Sequence, residues 1–366
     1  MASWKRKWKH SVRDFKVVSW KNDNPEILEE VVKRHPMEIP NYYFNLIDSN
    51  DPNDPIRKLS YPNEFELNLD GSYDTSGENE NTKMPGLQHK YKTTALVLTT
   101  NACFMYCRHC FRKRMVGIST DEINDRLIET VEYLKEHKEI NNILLSGGDS
   151  FCLSNNQIND YLEQLTEIEH LDFIRFGTRA PVVFPERITS DSELIDMLKS
   201  YNKKKRIMIV TQFNHPRELT DEAAHSIQLL KEAGMSVNNQ TVILKGVNDE
   251  PKVLAALLNN LNRLGVDPYY VFQCRPVTAV KTGFQKTLIS SYRLLEETRP
   301  LLNGLSKRFR LIMSHKRGKI EIVGTHEDNM IFKFHQAKHG DDQERIFIVP
   351  ILNEGQWLDD DLNMIE

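Results

Sequence analysis

The stretch Thr99-Thr100-Asn101-Ala102-Cys103-Phe104-Met105-Tyr106-Cys107-Arg108-His109-Cys110 decides how the rest of the chain is interpreted. It holds three of the five cysteines, in the spacing C-x3-C-x2-C, and the apolar run at residues 95–99 before it is typical of a buried strand. Three thiols on one loop suit a soft metal centre, and iron–sulfur clusters are held by cysteine thiolates. Three protein ligands leave one iron open to a small molecule, as in a catalytic zinc site. Cys103, Cys107 and Cys110 are therefore the predicted metal ligands. A zinc knuckle that uses His109, or three core cysteines, are the alternatives that spacing alone leaves open.

From this loop onward, apolar runs alternate with helix-like segments. The strand-like runs cover residues 95–99, 142–146, 173–178, 206–211, 236–244 and 268–273, and the helix-like segments cover 121–137, 155–168, 190–199, 221–233 and 251–264. Six strands that alternate with helices predict a parallel sheet with helices outside, most simply a partial (β/α)6 barrel. Sites in such barrels gather at the carboxyl ends of the strands, which is where the cysteine loop follows the first strand.

The two ends of the chain have other patterns. Residues 1–90 carry little strand signal, and the polar stretch 70–83 is typical of a loop or flexible linker. Beyond about residue 305, runs at 308–313, 319–323 and 330–335 largely alternate with period two, and an apolar run at 345–349 follows. The sequence thus predicts an N-terminal helical extension (1–90), a partial barrel (91–305) and a C-terminal antiparallel β cap (306–366) tied to the barrel.

Composition excludes several classes of function. The chain has 39% hydrophobic and 27% charged residues and a net charge of −4, which is a globular composition without the basic excess of a nucleic-acid-binding protein. It has no apolar run long enough to cross a membrane and no apolar signal region at its start. Sparse, clustered cysteines fit a reducing compartment. We therefore expect a cytoplasmic protein that binds neither nucleic acid nor membranes.

A second motif follows the second predicted strand and reads Ser146-Gly147-Gly148-Asp149. Glycines at the end of a strand allow the backbone to approach a ligand closely, and a carboxylate beside them can accept hydrogen bonds from an ammonium group. Taken alone the motif is weak, because a plain turn has the same composition.

The cysteine spacing after a first strand resembles the radical S-adenosylmethionine (SAM) enzymes. Further stretches at 85–91, 107–114, 177–189, 212–220 and 239–249, among them Gly177-Thr178-Arg179-Ala180-Pro181, resemble the lysine 2,3-aminomutase family of those enzymes over roughly residues 84 to 275. The resemblance implies a [4Fe-4S] cluster whose open iron binds SAM, and one-electron cleavage of SAM to a 5′-deoxyadenosyl radical. It also implies that an amino group moves between adjacent carbons of an amino acid with the help of pyridoxal phosphate (PLP).

The resemblance assigns roles to individual residues. Gly147, Gly148 and Asp149 match the family motif for the SAM amino group, Arg179 and Gln240 match further SAM contacts, and Arg112 matches the arginine that grips the substrate carboxylate. A bidentate guanidinium suits that last task.

The match is looser around PLP. Lys319 is the best candidate for the Schiff-base lysine, and a β-turn lysine between two cap strands is the alternative. Of the two basic residues for the PLP phosphate, Lys90 is retained and Thr94 stands at the other position, so one positive charge is missing. The sequence predicts that PLP has been lost or is bound by other residues.

The substrate clamp also departs from the family. In the lysine enzyme an acidic residue just after the sixth strand helps to hold the distal ammonium, and Arg275 stands there in this chain. Reversing the charge should reject lysine and favour a carboxylate or phosphate. The alternative is that Arg275 pairs with Asp249 or Glu321 and never meets the substrate.

The predicted function is an amino acid 2,3-aminomutase-like isomerase on a small, non-lysine, anionic substrate. An electron donor such as flavodoxin or ferredoxin is implied, and a homodimer is suggested because the family often forms dimers. Three alternatives stay open: a PLP-independent radical SAM oxidoreductase or epimerase, an aminomutase acting on lysine within a protein, and a non-catalytic metal-binding barrel.

Overall fold

One sheet of twelve strands organises the described part of the chain, residues 3–17, 20 and 23–366, in this computed structural model. Strands neighbour one another in chain order from β1 to β12, and two short strands pair separately. The strands are β1 (Thr82–Met84), β2 (Leu87–Tyr91), β3 (Thr94–Thr100), β4 (Asn142–Gly147), β5 (Phe173–Gly177), β6 (Arg206–Thr211), β7 (Ser236–Ile243), β8 (Asp267–Gln273), β9 (Arg310–His315), β10 (Gly318–His326), β11 (Asn329–Ala337), β12 (Ile346–Pro350), β13 (Trp357–Leu358) and β14 (Met364–Ile365).

Helices fill most of the connections between the parallel strands, and shorter ones cover the N-terminal part. They are α1 (Ser3–Lys9), α2 (Pro25–Arg34), α3 (Asn41–Phe44), α4 (Pro55–Ser60), α5 (Glu78–Asn81), α6 (Leu127–Glu136), α7 (Asn155–Thr166), α8 (Ala180–Val183), α9 (Glu186–Thr189), α10 (Ser192–Lys204), α11 (Asp221–Glu232), α12 (Pro251–Arg263), α13 (Lys281–Phe284) and α14 (Leu288–Thr298). None of the helices in the described segments is long and apolar enough to cross a membrane.

Strands β3 to β8 run parallel, which confirms the predicted partial (β/α)6 barrel. Alternate residues of each strand face the outer helices and the interior. On β5, for example, Ile174 and Phe176 are fully buried while Arg175 between them is only partly buried. The helices close over the sheet through apolar faces with ordinary caps. Helix α7 starts with a capping box of Ser154 and Gln157 and buries Leu162.

Two details of the prediction are wrong. The stretch before the barrel is not free of strands, since β1 and β2 form an antiparallel hairpin that pairs with β3. The stretch 70–83 is not a loose linker either, because the Asp74 carboxylate accepts the backbone N–H groups of Glu78 and Asn79, and Lys90 donates to the carbonyl of Ser76. Propensity did not show this because part of the order comes from distant residues, such as the hydrogen bond from the Ser72 N–H to the carbonyl of Pro276.

The C-terminal strands continue the barrel sheet instead of forming a separate layer. Strand β9 pairs in parallel with β8 and antiparallel with β10, and β10 to β12 then run antiparallel. The predicted C-terminal antiparallel sheet is therefore present, with a first strand that also extends the parallel sheet. This continuity brings β10 to the mouth of the barrel.

Candidate active site

A cavity of about 350 Å³ lies at the carboxyl ends of the parallel strands. Every residue for which the sequence predicted a role contributes to its wall: Cys103, Cys107, Cys110, Gly147, Gly148, Asp149, Arg179, Gln240, Lys319, Lys90, Arg112 and Arg275. The cysteines and the glycines lie at the ends of β3 and β4, and Arg275 follows β8. The fold thus gathers residues from seven strands or strand ends around a single space.

The cysteine loop is held from behind by a buried cluster of charges. Arg108, inside the loop, donates from Nε and Nη2 to the carboxylate of Glu66, and Lys113 donates to the same carboxylate at 2.6 Å. All three side chains are buried, with Glu66 fully so. Arg108 also donates from Nη1 to the carbonyl of Pro36. The N-terminal extension therefore fixes the backbone that carries the three thiols.

The thiols suit a multi-iron cluster better than a single zinc ion. Tetrahedral zinc with 2.3 Å bonds needs sulfurs about 3.8 Å apart, but in the described segments the only three-ligand group with all donor atoms within 4.8 Å is His89, His137 and Glu139. His109 is not part of that group either, and its Nε2 faces the side-chain amides of Gln212 and Asn214, each at 3.2 Å.

Burial shifts the acid–base behaviour of two of the three thiols. It raises the pKa of Cys103 well above its usual range and that of Cys110 to about 11. A thiolate at either of these two buried positions would be stabilised by the positive charge of bound iron.

The glycines of the second motif have a packing role that the sequence did not reveal. Gly147 has φ +120°, and a Cβ there would collide with the carbonyl of Thr100. A Cβ on Gly148 would likewise collide with the carbonyl of Ala102, one residue before the first cysteine ligand. The Gly-Gly pair is thus required for the end of β4 to lie against the cysteine loop, besides any contact with a ligand.

Asp149 and Arg179 are linked to each other and to the loop. Each oxygen of the buried Asp149 carboxylate accepts one backbone N–H, from Phe151 at 2.9 Å and from Arg179 at 2.7 Å, which leaves lone pairs for a ligand ammonium. The Arg179 guanidinium donates to Cys107 Sγ and to Glu218, both at 2.7 Å. Arg179 therefore directly contacts a predicted cluster ligand, whereas the sequence suggested only a SAM contact.

Arg112 reaches the cavity with one edge already occupied. Its Nε and Nη2 contact the carboxylate of Glu78 at 3.0 and 2.9 Å, and its Nη1 donates weakly to Ser146 Oγ at 3.2 Å. Glu78 also accepts from Arg114 at 2.8 Å. The predicted carboxylate-binding arginine is thus oriented by an acid from the N-terminal extension, which the sequence analysis missed because it treated residues 70–83 as a linker.

Arg275 has neither of the acidic partners that were its alternative explanation. Asp249 pairs with Lys286, and Glu321 pairs with Arg310. Arg275 instead donates from Nη2 to Ser314 Oγ at 2.9 Å and stacks over the ring of Phe111 at 4.2 Å. Its Nη1 is buried without a hydrogen-bond partner in the part of the chain that the structure describes. A buried, unpaired guanidinium nitrogen is costly unless a ligand satisfies it.

Lys319 and Lys90 approach the cavity from neighbouring sides. Lys319 lies just after the β9–β10 turn, which is where the alternative interpretation placed it. Its amine nevertheless points inward over the rings of Tyr91 and Tyr270 and donates to Gln336 at 3.0 Å. Lys90 donates to the carbonyl of His315 at 2.6 Å. Burial, followed by nearby positive charges, lowers the pKa of each lysine to about 7.

One further cation was missed by the sequence analysis. Arg175 on β5 lines the cavity and donates from Nη2 to Asn142 at 2.6 Å, while its Nε is buried without a partner among the described residues. Asn142 in turn contacts Thr94, the position where a phosphate-binding charge is missing. Arg175 can therefore supply that charge from two strands away. The signal was available, since a charged residue alternates with buried Ile174 and Phe176 and so faces the barrel interior.

Comparisons with known proteins agree with this geometry. The family model of the radical SAM superfamily matches residues 97–258. The chain is 39% identical over 335 residues to a "Putative L-lysine 2,3-aminomutase" of Aquifex aeolicus, covering 91% of this chain and 89% of that protein. It is 40% identical to L-lysine 2,3-aminomutase of Clostridium subterminale (71% of this chain, 62% of that protein). It is 33% identical to glutamate 2,3-aminomutase of Clostridioides difficile (83% and 71%). With the cysteine loop, the Gly-Gly-Asp strand end and the barrel in place, the chain belongs to the lysine 2,3-aminomutase family of radical SAM enzymes.

Proposed function

We propose that this radical SAM enzyme is a 2,3-aminomutase for a free amino acid with a negatively charged side chain, with glutamate as the first substrate to test. The observation that carries the proposal is Arg275, which lines the cavity with a buried Nη1 that has no hydrogen-bond partner among the described residues. The acid that acts most on its charge, Glu78, is already paired with Arg112 and Arg114. The family has an acid there to hold the distal ammonium of lysine. A side-chain carboxylate would pair with the guanidinium, and an ammonium would be repelled by it.

Unpaired cationic side chains in the cavity wall support the same choice, above all the two arginines, because a pKa of about 7 leaves Lys90 and Lys319 only partly charged near neutral pH. Lys90, Arg175, Arg275 and Lys319 all line the space, and none of them forms an ion pair within the described residues. A lysine substrate would add one more positive charge to this cluster. An anionic substrate together with a phosphorylated cofactor would neutralise it.

The relatives do not decide the substrate by identity alone. Two L-lysine 2,3-aminomutases are 40% and 41% identical to the chain over the aligned residues, and the glutamate enzyme of Clostridioides difficile is 33% identical. Identity averages over the whole barrel, whereas discrimination between a carboxylate and an ammonium depends on one or two charges in the site.

The residues fit the two cofactors that the family implies, a [4Fe-4S] cluster and SAM. We propose PLP as the third. When bound, these groups supply a carbon radical that removes one hydrogen atom from the substrate, and a carbonyl that holds the migrating nitrogen. Cys103, Cys107 and Cys110 would hold the iron. Lys319 would hold PLP through its amine.

The chain itself binds and orients the substrate. Glu78 would orient Arg112 by one edge, so that the other edge can bind the α-carboxylate, and Arg275 would bind the side-chain anion. Two fixed guanidinium groups at opposite ends of a short amino acid would restrict the orientation of its α and β carbons. The rings of Tyr91 and Tyr270 around Lys319 would exclude water.

The test uses anaerobically reconstituted protein with SAM, PLP and dithionite, supplied separately with glutamate and lysine. We expect SAM-dependent formation of β-glutamate, detected by mass spectrometry, and little β-lysine. Arg275→Ala should lower kcat/KM for glutamate roughly 10- to 100-fold, the value of a hydrogen-bonded charge. Arg310→Ala, an arginine outside the cavity, should leave it unchanged.

Several outcomes would contradict the proposal. Preference for lysine, or full activity of Arg275→Ala, would remove the role of the arginine. Cleavage of SAM to 5′-deoxyadenosine without a PLP-modified lysine would favour the PLP-independent alternative, and activity only on a protein substrate would favour the protein-lysine alternative. Failure to form 5′-deoxyadenosine from a loaded cluster would favour a non-catalytic barrel.

A further inference from the structure

The segment before the barrel is strongly basic, although the chain as a whole has a net charge of −4. Residues 3–17 contain six lysines or arginines and one acid, Asp14. Three of the cations have acidic partners: Lys7 with Glu186, Arg13 with Glu38, and Lys16 with Glu29. The other three, Lys5, Arg6 and Lys9, form no ion pair with any described residue, and we call them the basic face.

The basic face is one side of an amphipathic helix. Lys5 and Lys9 are four residues apart and Arg6 and Lys9 three apart, so their side chains lie on one side of α1. Trp4 and Trp8 lie on the other side and pack inward; Trp4 is 1% exposed and donates from its indole N–H to Asp191. Arg6 and Lys9 are exposed.

The inward side of this helix contacts the cysteine loop directly. Both tryptophans pack on the ring of Phe104, with centroids at 6.0 Å for Trp4 and 5.0 Å for Trp8. Phe104 is fully buried and immediately follows Cys103 in the chain. The helix itself, the two tryptophans and Phe104 thus lie between the basic face and the predicted cluster ligands.

We propose that the basic face is the docking surface for an acidic one-electron donor protein that reduces the cluster. The cluster must first be reduced by one electron from outside the enzyme before it can cleave SAM, and a donor must approach the cluster without blocking the substrate cavity. The donor loses one electron and the cluster gains it, with no other bond made or broken. Complementary charge would both orient such a donor and raise its association rate. The inference rests on family membership and not on the choice of substrate.

An anionic membrane is the less favoured occupant of the same face. Basic helices that bind membranes insert an apolar side, and here the tryptophans that would form it are packed against Phe104. The exposed side offers only charge, which suits a protein surface whose acidic side chains are arranged to match it.

The test measures the second-order rate at which an acidic plant-type [2Fe–2S] ferredoxin, reduced beforehand, loses its electron to the reconstituted enzyme in stopped flow. We expect the double variant Arg6→Glu/Lys9→Glu to slow this rate about tenfold or more at low salt and to weaken its dependence on ionic strength. Arg6→Gln/Lys9→Gln should show a smaller decrease. Lys199→Glu/Lys203→Glu, on exposed positions of α10 near the opposite ends of the strands, should match the unmodified protein.

Dithionite-driven formation of 5′-deoxyadenosine is the internal reference, because a small reductant needs no docking surface. It should be the same in all variants, which also shows that each has folded and holds its cluster. Equal ferredoxin rates in all proteins would overturn the proposal. So would unchanged ferredoxin rates combined with binding to phosphatidylserine vesicles that only the α1 variant loses.

Discussion

Lys319 is one of two cavity lysines whose acid–base behaviour is strongly altered by their surroundings. Burial, followed by the charges of Arg175 and Arg275, lowers its pKa to about 7, whereas a lysine in water titrates near ~10.4. A neutral amine is the form that attacks an aldehyde, so the position suits reaction with PLP near neutral pH. The unfolded lysine still holds its proton between these two pKa values. The cost of burying this lysine is therefore relieved as the pH rises from about 7 towards ~10.

We predict that PLP modifies Lys319 and that the fraction modified rises through about pH 7 as the amine loses its proton. The measurement is absorbance after anaerobic reconstitution, followed by borohydride reduction and peptide mapping. Lys319→Ala should lose the label and the absorbance, while Lys333→Ala, an exposed lysine on β11, should retain both. A label on Lys90 instead, or no label at any pH, would contradict the assignment.

Glu78 influences the site through the arginine that it orients, Arg112. Burial alone would raise the pKa of its carboxyl group, but Arg112 and Arg114 outweigh burial and lower the pKa to about 2. The carboxylate is therefore charged at all ordinary pH values. Its contribution to stability is present above about pH 4.3, the ordinary value for glutamate, and is lost as the pH falls towards 2.

We predict that Glu78→Gln raises the KM for the amino acid substrate about tenfold, because Arg112 loses the charged partner that fixes its orientation. Glu80→Gln, two residues away and exposed, is the matched control and should not change KM. A lower KM in Glu78→Gln would mean that Glu78 competes with the substrate for Arg112, which is the opposite role.

Among the elements, the N-terminal extension does most to position the cysteine loop. Its contribution is Glu66, fully buried between Arg108 of the loop and Lys113 just beyond it. Burial would raise the pKa of Glu66, but the two cations lower it overall. Removing one partner of such a buried cluster leaves an uncompensated charge, which is far more costly than losing an exposed ion pair.

We predict that Glu66→Gln lowers the free energy of unfolding of the apo protein by about 3–5 kcal/mol and reduces the iron bound per chain. Urea denaturation and iron analysis are the measurements. Glu64→Gln, an exposed glutamate two residues earlier, is the control and should change unfolding by less than about 0.5 kcal/mol. Unchanged iron content in a clearly destabilised Glu66→Gln would show that the cluster loop does not depend on this contact.

At the scale of the whole molecule, the sheet makes the barrel and the C-terminal strands interdependent. Strand β9 covers the edge of β8, and Met313, Ile320 and Phe332 are buried beneath the C-terminal sheet. Lys319 reaches the cavity only because β10 follows β9 in that sheet. A division of function between residues 91–305 and 306–366 is therefore incomplete, since the cavity uses both.

We predict that residues 1–305 alone do not form a folded monomer, because β8 would become a long exposed edge above uncovered apolar side chains. Size-exclusion chromatography and near-ultraviolet circular dichroism are the measurements, and co-expression with residues 306–366 is the control. A monomeric truncated protein with the near-ultraviolet spectrum of the intact chain would instead support an independent barrel.

The sequence by itself determined the cysteine loop with its three predicted ligands, the Gly-Gly-Asp strand end and the alternation of strands and helices. These features are local: ligand spacing, glycine content and hydrophobic period are written in short windows, and the observed strands β3 to β8 match the predicted runs to within a residue or two at each end. The predicted boundaries were wrong in two places. At 70–83 a distant contact orders a polar segment, and the helix predicted from residue 121 begins only at Leu127, as α6.

Only the tertiary structure decided how the charges are combined. Lys90 on β2, Arg175 on β5, Arg275 after β8 and Lys319 on β10 are far apart in the chain, and closure of the sheet brings them to one cavity. The same closure pairs Asp249 and Glu321 with other residues, leaves Arg275 without an ion pair among the described residues and gives Arg112 its partner in Glu78. The local sequence pattern determines the backbone position from which a charged side chain extends. Its partner, its desolvation and hence its pKa depend on what the fold packs around it.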